Sequence, residues 1–345
     1  MDSFLDQWGF TLLIRKKVFQ QGWGDIQLLG KSYKIEDLNL SWEDENTAKA
    51  FSRRVLQPHP PYKIDISWGE DRLFLKKFRR NRGKFQTPVN QLLLSPMSQT
   101  AHVELIRPDT REQGIPACIH FAATGEQGFL TRRFLAATLA KHGIASVILE
   151  NSFYGKRRPT NQTEFYLNQF IDLLAMLDTS IEEGLSLLQW LKEAGYGPLG
   201  VSGISMGGSI AALITAKMQL PLASVSLAAS HSVIPCYTEG VLARRVAWDV
   251  LNAELPNTQN AKQVIRQFLS GFDIENYPPP QNLKAAFLIT AKQDACIPRY
   301  SSLQLHNHWK GAHIHWVPGG HTSGIPRGWN LYKNCILQAL DVLSQ

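Results

Sequence analysis

Residues 198–212, Pro-Leu-Gly-Val-Ser-Gly-Ile-Ser-Met-Gly-Gly-Ser-Ile-Ala-Ala, constrain this chain more than any other stretch. Gly203, Ser205 and Gly207 form its single Gly-x-Ser-x-Gly. Before it, Leu199, Val201 and the small residues between them predict a short buried strand. After it, Ile210, Ala211, Leu213, Ile214 and Ala216 predict a tightly packed helix from Ser209 to Met218. Strand, glycine-flanked serine and helix, in that order, make a nucleophile elbow. The turn is so sharp that the serine must hold a strained backbone. Side chains at Gly203 or Gly207 would collide with the neighbouring strand and helix. The Ser205 hydroxyl is thereby presented at the positive end of a helix. A glycine-rich turn with an idle serine has the same local pattern, so the rest of the chain must supply the chemistry.

From about Gln91 onward strands and helices alternate. Ala101 to Ile106, Ile115 to Phe121 and Ala145 to Leu149 read as strands, and Thr131 to His142 as a helix. Phe165 to Ala194 reads as a long helical stretch broken near Asp178 or Gly184. Beyond the elbow, strands are predicted over Leu222 to Ala229, Ala285 to Ala291 and His313 to Val317. Helices are predicted over Tyr300 to Trp309 and Trp329 to Leu343. This alternation implies an α/β fold with a mainly parallel sheet covered by helices on both faces. Residues 231–281 interrupt it with helices and the Pro278-Pro279-Pro280 break, the place for a small helical cap. Residues 1–90 read as an N-terminal helical extension packed on the core domain, 91–345. In it Phe4, Leu5, Trp8, Leu12, Leu13, Val18 and Phe19 form an apolar stripe at helical spacing, ended by Gly22-Trp23-Gly24. From Lys31 to Gln86 a helix, a break at Pro58 to Pro61 and basic loops are expected.

The formal charge of +7 is spread in small groups, the densest being six Lys or Arg in the nine residues 76–84. Such groups suit a solvated surface or an anionic partner such as a phospholipid headgroup. No nucleic-acid motif accompanies them, so nucleic acid is not an expected partner. Cys118, Cys236, Cys296 and Cys335 are far apart and form no Cys-x-x-Cys. A metal site and a disulfide framework are both disfavoured, and an intracellular, reducing compartment is expected. Asp2 and Asp6 stand where a secretory signal would be apolar. The first helix and the basic groups leave room for peripheral contact with an anionic membrane.

A serine nucleophile needs a base, and the base needs an acid to orient it. In this topology they follow in the order serine, acid, histidine, each just past a later strand. Asp294 comes three residues after the strand ending at Ala291, and His321 comes shortly after the strand ending at Val317. His306, His308, His313 and His315 fall inside predicted elements instead. Backbone N–H groups must also face the oxyanion. Met206, directly after the nucleophile, offers one; Thr124, or Ala123 beside it, offers the second from the loop after Phe121. Lys156, Arg157 and Arg158 follow another strand at the same edge. They are candidates to hold a phosphate headgroup, or else a structural anchor in which Glu150 pairs with an arginine.

The elbow and the order of these residues resemble the alpha/beta-hydrolase superfamily. The sequence is more closely similar to the alpha/beta hydrolase domain-containing protein 18 family. The likeness is carried by Gly22-Trp23-Gly24, Cys118-Ile119-His120 with Thr124-Gly125, and Leu149-Glu150-Asn151 with Tyr154-Gly155. Gly195 to Gly200, Gly203 to Gly208, Asp294 to Arg299 and Gly319-Gly320-His321 complete it. It spans nearly the whole chain; the region before Leu283 is shorter than in animal relatives. The resemblance implies a serine hydrolase of lipid acyl esters, lipase-like and active on phospholipid such as cardiolipin, with mitochondria as the compartment in a eukaryote. The expected machinery is Ser205, His321 and Asp294 with no cofactor. A small-molecule carboxylesterase and a catalytically silent scaffold of the same fold are the alternatives.

Overall fold

The computed structural model describes residues 16–24, 26–28, 31–33, 52, 55–75, 77–89, 94–110, 113–257 and 259–345. The apolar stripe expected from Phe4 to Leu13 lies outside them. A small antiparallel pair, β1 (Ile26–Leu28) and β2 (Lys31–Tyr33), stands apart from the main sheet. Among the described residues the main sheet has ten strands. They are β3 (Ser67–Trp68), β4 (Arg72–Phe74), β5 (Phe78–Gln86), β6 (Thr100–Pro108), β7 (Ala117–Phe121), β8 (Ala145–Leu149), β9 (Leu199–Ile204), β10 (Ala223–Leu227), β11 (Ala286–Ala291) and β12 (His313–Val317).

The strands lie in the order β12-β11-β10-β9-β7-β8-β6-β5-β3, with β4 also paired to β5. From β7 to β12 all pairings are parallel, and β6 runs antiparallel to both β8 and β5. Strands β7, β8, β10 and β11 are buried along their whole length. That is why they read as short continuous apolar runs: helices cover both faces. The expected α/β class holds, but its edge is corrected. The sheet starts at Ser67 rather than after residue 91, because β5 zips nine residues onto β6 and carries β3 and β4 with it.

The helices are α1 (Leu130–Ala140), α2 (Phe170–Glu193), α3 (Met206–Met218), α4 (Ile234–Thr238), α5 (Trp248–Ala253), α6 (Ala261–Leu269), α7 (Arg299–His308) and α8 (His321–Ser344). Helix α2 is one uninterrupted element, so the expected break at Asp178 or Gly184 does not occur. Gly184 has a packing reason: a Cβ there would stand 2.4 Å from Ile214 Cδ1 and 2.7 Å from Phe121 Cζ. The bare backbone lets α2 lie directly on α3 and β7. Helix α8 starts eight residues before the expected Trp329 and runs through Pro326. Gly324 sits against Ala291 and Gly328 against Leu227, so α8 lies close on β11 and β10.

Between β10 and β11 the chain leaves the sheet and forms α4, α5, α6 and short 3-10 turns. The N-terminal segment ties into this excursion. Val18 N–H donates to Arg245 O at 2.8 Å, Ala247 N–H to Val18 O at 3.1 Å, and buried Trp23 donates through Nε1 to Leu251 O at 2.8 Å. Gly22 and Gly24 take positive φ, 76° and 79°, to turn the chain around that indole. Phe19 packs edge-on against Phe170 of α2, 5.6 Å between ring centroids.

Candidate active site

Ser205 caps the N-terminus of α3 with φ 56° and ψ −120°, a region that non-glycine residues seldom occupy. Its neighbours force the choice. A Cβ on Gly203 would lie 2.1 Å from Gly207 O, and one on Gly207 would lie 2.4 Å from Phe121 O. Those distances are inside any non-bonded contact, so both residues are glycine for steric reasons. The elbow is pinned by Ser205 N–H donating to Leu227 O at 2.8 Å, which locks it to β10.

Ser205, His321 and Asp294 form one continuous hydrogen-bonded line. His321 Nε2 lies 2.8 Å from Ser205 Oγ, and His321 Nδ1 lies 2.8 Å from Asp294 Oδ2. A carboxylate can only accept, so Nδ1 carries the proton and Nε2 is left to accept from the serine hydroxyl. Asp294 is itself fixed: its Oδ1 accepts from the amides of Cys296 at 2.9 Å and Ile297 at 2.7 Å. The two supporting loops clasp each other, Gln293 N–H donating to Gly319 O and Gly319 N–H to Gln293 Oε1, both at 2.9 Å. His321 is the first residue of α8 rather than part of a loop. The helix start fixes its backbone, and Gly319-Gly320 supply the turn into it. The Asp294 and His321 side chains are 2 % and 4 % exposed, so their contact is shielded from water.

Met206 is the first residue of α3, where a helix leaves its N–H groups without intrahelical partners. Thr124 lines the same cavity as Ser205 and Met206. Ala123, the neighbouring candidate, already donates its N–H to Glu126 Oε2 at 3.3 Å. Glu126 is held in turn by Arg132 Nε at 2.9 Å. Arg132 is buried and also donates to the carbonyls of His120, Gly128 and Leu149. In the sequence Arg132 is one of the small basic groups that suit a solvated surface or an anionic partner. The only local signal to the contrary was its position three residues into a helix that follows a strand and a glycine-bearing loop.

Arg157 is not a headgroup ligand. It is fully buried and donates twice to Glu183 of α2, at 2.8 and 2.6 Å, and also to the carbonyls of Glu150 and Ser98. A guanidinium so satisfied has no donor left for a phosphate. The anchor differs from the expected one as well. Glu150 receives the amides of Gly128 and Lys156, at 3.1 and 3.2 Å, and burial raises its pKa. Lys156 is exposed and Arg158 half-buried, touching Gln127 at 3.4 Å.

Under the cap, a cavity of about 40 Å³ opens on Ser205, lined by Leu173, Leu177, Ile210, Leu213, Val233, Tyr237 and Leu242. Its walls are almost entirely apolar. Cys236 and Cys296 also line it, and burial pushes the Cys236 thiol up to about 12, the nearby Asp294 charge adding to the effect. The cap is held over the site by Val241 N–H donating to Ala295 O at 3.0 Å, while a Cβ on Gly240 would meet Cys296 O at 2.1 Å.

A family profile, alpha/beta hydrolase domain containing 18, matches residues 16–267 and 256–342. The chain belongs to this family. Its fold is that of the alpha/beta hydrolases, as solved structures also show. An acetyl xylan esterase from Paenibacillus sp. R4 superposes with a TM-score of 0.58 at 15% identity, over 84% of this chain and 91% of that one. Acetyl xylan esterase 1 from Thermoanaerobacterium sp. JW/SL YS485 gives 0.54 at 13% identity, over 84% and 93%. An acylaminoacyl peptidase from Pyrococcus horikoshii gives 0.53 at 15%, over 77% of this chain but 42% of its own length. At such identities the likeness speaks for the fold.

Proposed function

We propose that this member of the family is a serine ester hydrolase that seats an apolar acyl group in the cavity under its cap. The observation that carries the reading is the Ser205–His321–Asp294 line, with Ser205 facing an apolar chamber. Ser205 Oγ attacks the acyl carbonyl while His321 Nε2 takes its proton. Asp294 holds the tautomer and stabilises the imidazolium, which the positive end of α8 would otherwise disfavour. The amides of Met206 and Thr124 receive the oxyanion. His321 then returns the proton to the departing alkoxide. The acyl-enzyme is cleared by water that His321 deprotonates in the same way.

The substrate reading is a lipid acyl ester, with phospholipid of the cardiolipin type as the family resemblance implies. Apolar walls support it, since each methylene withdrawn from water contributes about 0.8 kcal/mol, near fourfold in binding. Lys156 and Arg158 are proposed to meet the anionic headgroup. The free thiols support an intracellular, reducing compartment; peripheral membrane contact is proposed from the basic groups, and a mitochondrial address in a eukaryote is what the family resemblance implies. A second reading, a small-ester carboxylesterase, is favoured by cavity size: about 40 Å³ admits a short acyl group unless Leu242 and the cap move. The two solved acetyl xylan esterases make that reading concrete.

The test has two stages. Ser205→Ala should abolish labelling by a fluorophosphonate; retained labelling would remove the serine from the mechanism. For the wild type, kcat/KM is then measured across p-nitrophenyl esters of rising acyl length and across phospholipids in mixed micelles. A rise beyond acetate with fatty acid released preferentially from anionic phospholipid is expected. A maximum at acetate with no fatty acid released would select the carboxylesterase.

A further inference from the structure

Strand β5 reads Phe-Arg-Arg-Asn-Arg-Gly-Lys-Phe-Gln, a composition poorly suited to a sheet. Gly69, Glu70, Arg72, Arg80 and Arg82 line a depression of about 240 Å³ on this part of the sheet. In strand order β5 lies four steps from β9, about 19 Å at the usual strand spacing. The depression is therefore separate from the Ser205 cavity.

The ladder puts the arginines on one face. Arg72 stands opposite Arg80, and Arg82, two residues on, stands opposite Glu104. Like charges directly opposed across two strands destabilise the pairing. The acidic groups nearby do not cancel them. Glu104 is fully buried and takes two bonds from Arg133, at 2.6 and 2.9 Å, as well as Arg82 Nε at 3.0 Å. Glu70 accepts from Arg72 at 3.0 and 2.9 Å, but these side chains are 72 % and 66 % exposed. Such a surface pair is weak and readily exchanged. Arg80 lies over the Phe74 ring at 5.0 Å and, among the described residues, has no carboxylate partner. Among the described residues, the three arginines of the depression and Arg133 beneath it thus stand against two carboxylates, Glu70 and Glu104. The excess of two positive charges matches a phosphate monoester, which carries about −1.5 to −2 near neutral pH.

We propose that this depression binds a terminal phosphate group carrying close to two negative charges, as a free anion or as the monoester of an exposed lipid headgroup. Arg82 is held by buried Glu104 and Arg80 by its stacking on Phe74, so two planar forks are set before the ligand arrives. Arg72 exchanges Glu70 for the phosphate. Guanidinium forks suit this task because they offer paired donors to a tetrahedral oxyanion. The same hairpin exposes Leu73 and Leu75, at 56 % and 61 %. Alternation puts Leu73 on the face opposite Arg72 and Arg80, whereas Leu75 lies at the hairpin turn, where it can rest in the lipid interface beside a bound headgroup.

The full chain is titrated calorimetrically with inorganic phosphate and with pyrophosphate, and floated with phosphatidylcholine vesicles with or without phosphatidic acid. Saturable binding in at least one arm is expected. Binding of the soluble anions identifies a free ligand; binding to phosphatidic acid vesicles alone identifies a headgroup. Arg80→Gln should weaken that binding at least about tenfold, the loss of a charged hydrogen-bonding partner. Arg80→Lys, which keeps the charge and loses the fork, should fall between. Arg72→Gln with Arg80→Gln should abolish it, and Lys310→Gln at the far edge of the sheet should leave it unchanged. Unaltered hydrolysis of a soluble ester by all variants establishes that they are folded. No binding in either arm, or binding indifferent to Arg72 and Arg80, overturns the proposal.

Discussion

Stability should fall on mild acidification through one histidine that takes no part in the chemistry. His120, one residue before the end of β7, is 1 % exposed, with Nδ1 2.7 Å from Ser202 Oγ and Nε2 3.0 Å from Ser146 Oγ. Tyr332 of α8 donates to the same Ser202 Oγ at 2.9 Å, so the imidazole joins β7, β8 and β9 to the helix that carries His321. Burial, and then the Arg132 charge, lower its pKa from 6.5 to about 3. In the unfolded chain it protonates near 6.5, so below that pH the unfolded state binds the extra proton and gains stability. The contribution of neutral His120 is therefore intact above about 6.5 and is lost as pH falls toward 3. At pH 5 the loss is about 2 kcal/mol, 1.5 units at about 1.4 kcal/mol each. Asp172 and Asp273, raised by burial to about 6, act in the opposite sense, so the wild-type curve alone is not diagnostic. The comparison is urea unfolding of wild type and His120→Asn at pH 7.5 and pH 5. The variant is less stable at pH 7.5, and that deficit should shrink by about 2 kcal/mol at pH 5. A deficit that does not change with pH would refute a neutral, buried His120.

Asp294→Asn should leave the fold intact and lower kcat for a soluble ester by a factor on the order of 10⁴, because an amide at that position stabilises the wrong imidazole tautomer. Equal turnover in steady-state assays would remove Asp294 from its role. Gly207→Ala should yield little folded protein or lose activity outright, since its methyl group would lie 2.4 Å from Phe121 O; circular dichroism and fluorophosphonate labelling report each outcome. Arg157→Met leaves Glu183 buried without its two guanidinium bonds and should cost about 3–5 kcal/mol in urea unfolding. Adding Glu183→Leu should recover much of that loss, and failure to recover any would mean that the pair does more than neutralise itself.

What the sequence disclosed depended on how far apart the interacting groups are along the chain. The central strands were legible because burial on both faces leaves short apolar runs, and His313–Val317 matched its predicted bounds. The elbow was legible because its steric demand is local: Gly203 and Gly207 are excluded from carrying side chains by atoms within four residues or on the adjacent strand. That Asp294 and His321 lie in one hydrogen-bonded line with Ser205 was legible from topology, each following a strand whose own pattern was clear. Strand β5 was not legible, since its arginines mask any alternation. Only Phe78 and Phe85, at opposite ends and on opposite faces, are buried apolar anchors, and the ladder with β6 does the rest. The true start of helix α8 is hidden in the sequence, since Gly324, Pro326 and Gly328 look like breakers. Two of these permit close packing on strands β11 and β10, which sequence spacing does not reveal.

Arg157 marks the limit of this kind of reading. Its neighbours Lys156 and Arg158 are solvent-facing cations of the same run, and nothing in residues 154–158 distinguishes it. Its partner Glu183 lies 26 positions away on α2, a helix whose buried face also carries Asp178 and Glu182. A carboxylate on a nearly all-buried helix must find a cation, and that requirement was visible in principle once α2 was recognised as central. Which cation answers it depends on the loop after β8 folding back over α2, a tertiary fact. The consequence bears on function: the run at 156–158 supplies two charges to the surface rather than three. The arginines of β4 and β5 retain their positive excess away from the Ser205 cavity, so attraction to an anionic surface should depend more on Arg72 and Arg80 than on Lys156 and Arg158. Vesicle flotation of Lys156→Gln with Arg158→Gln beside Arg72→Gln with Arg80→Gln measures that ranking, and a larger loss in the first pair would reverse it.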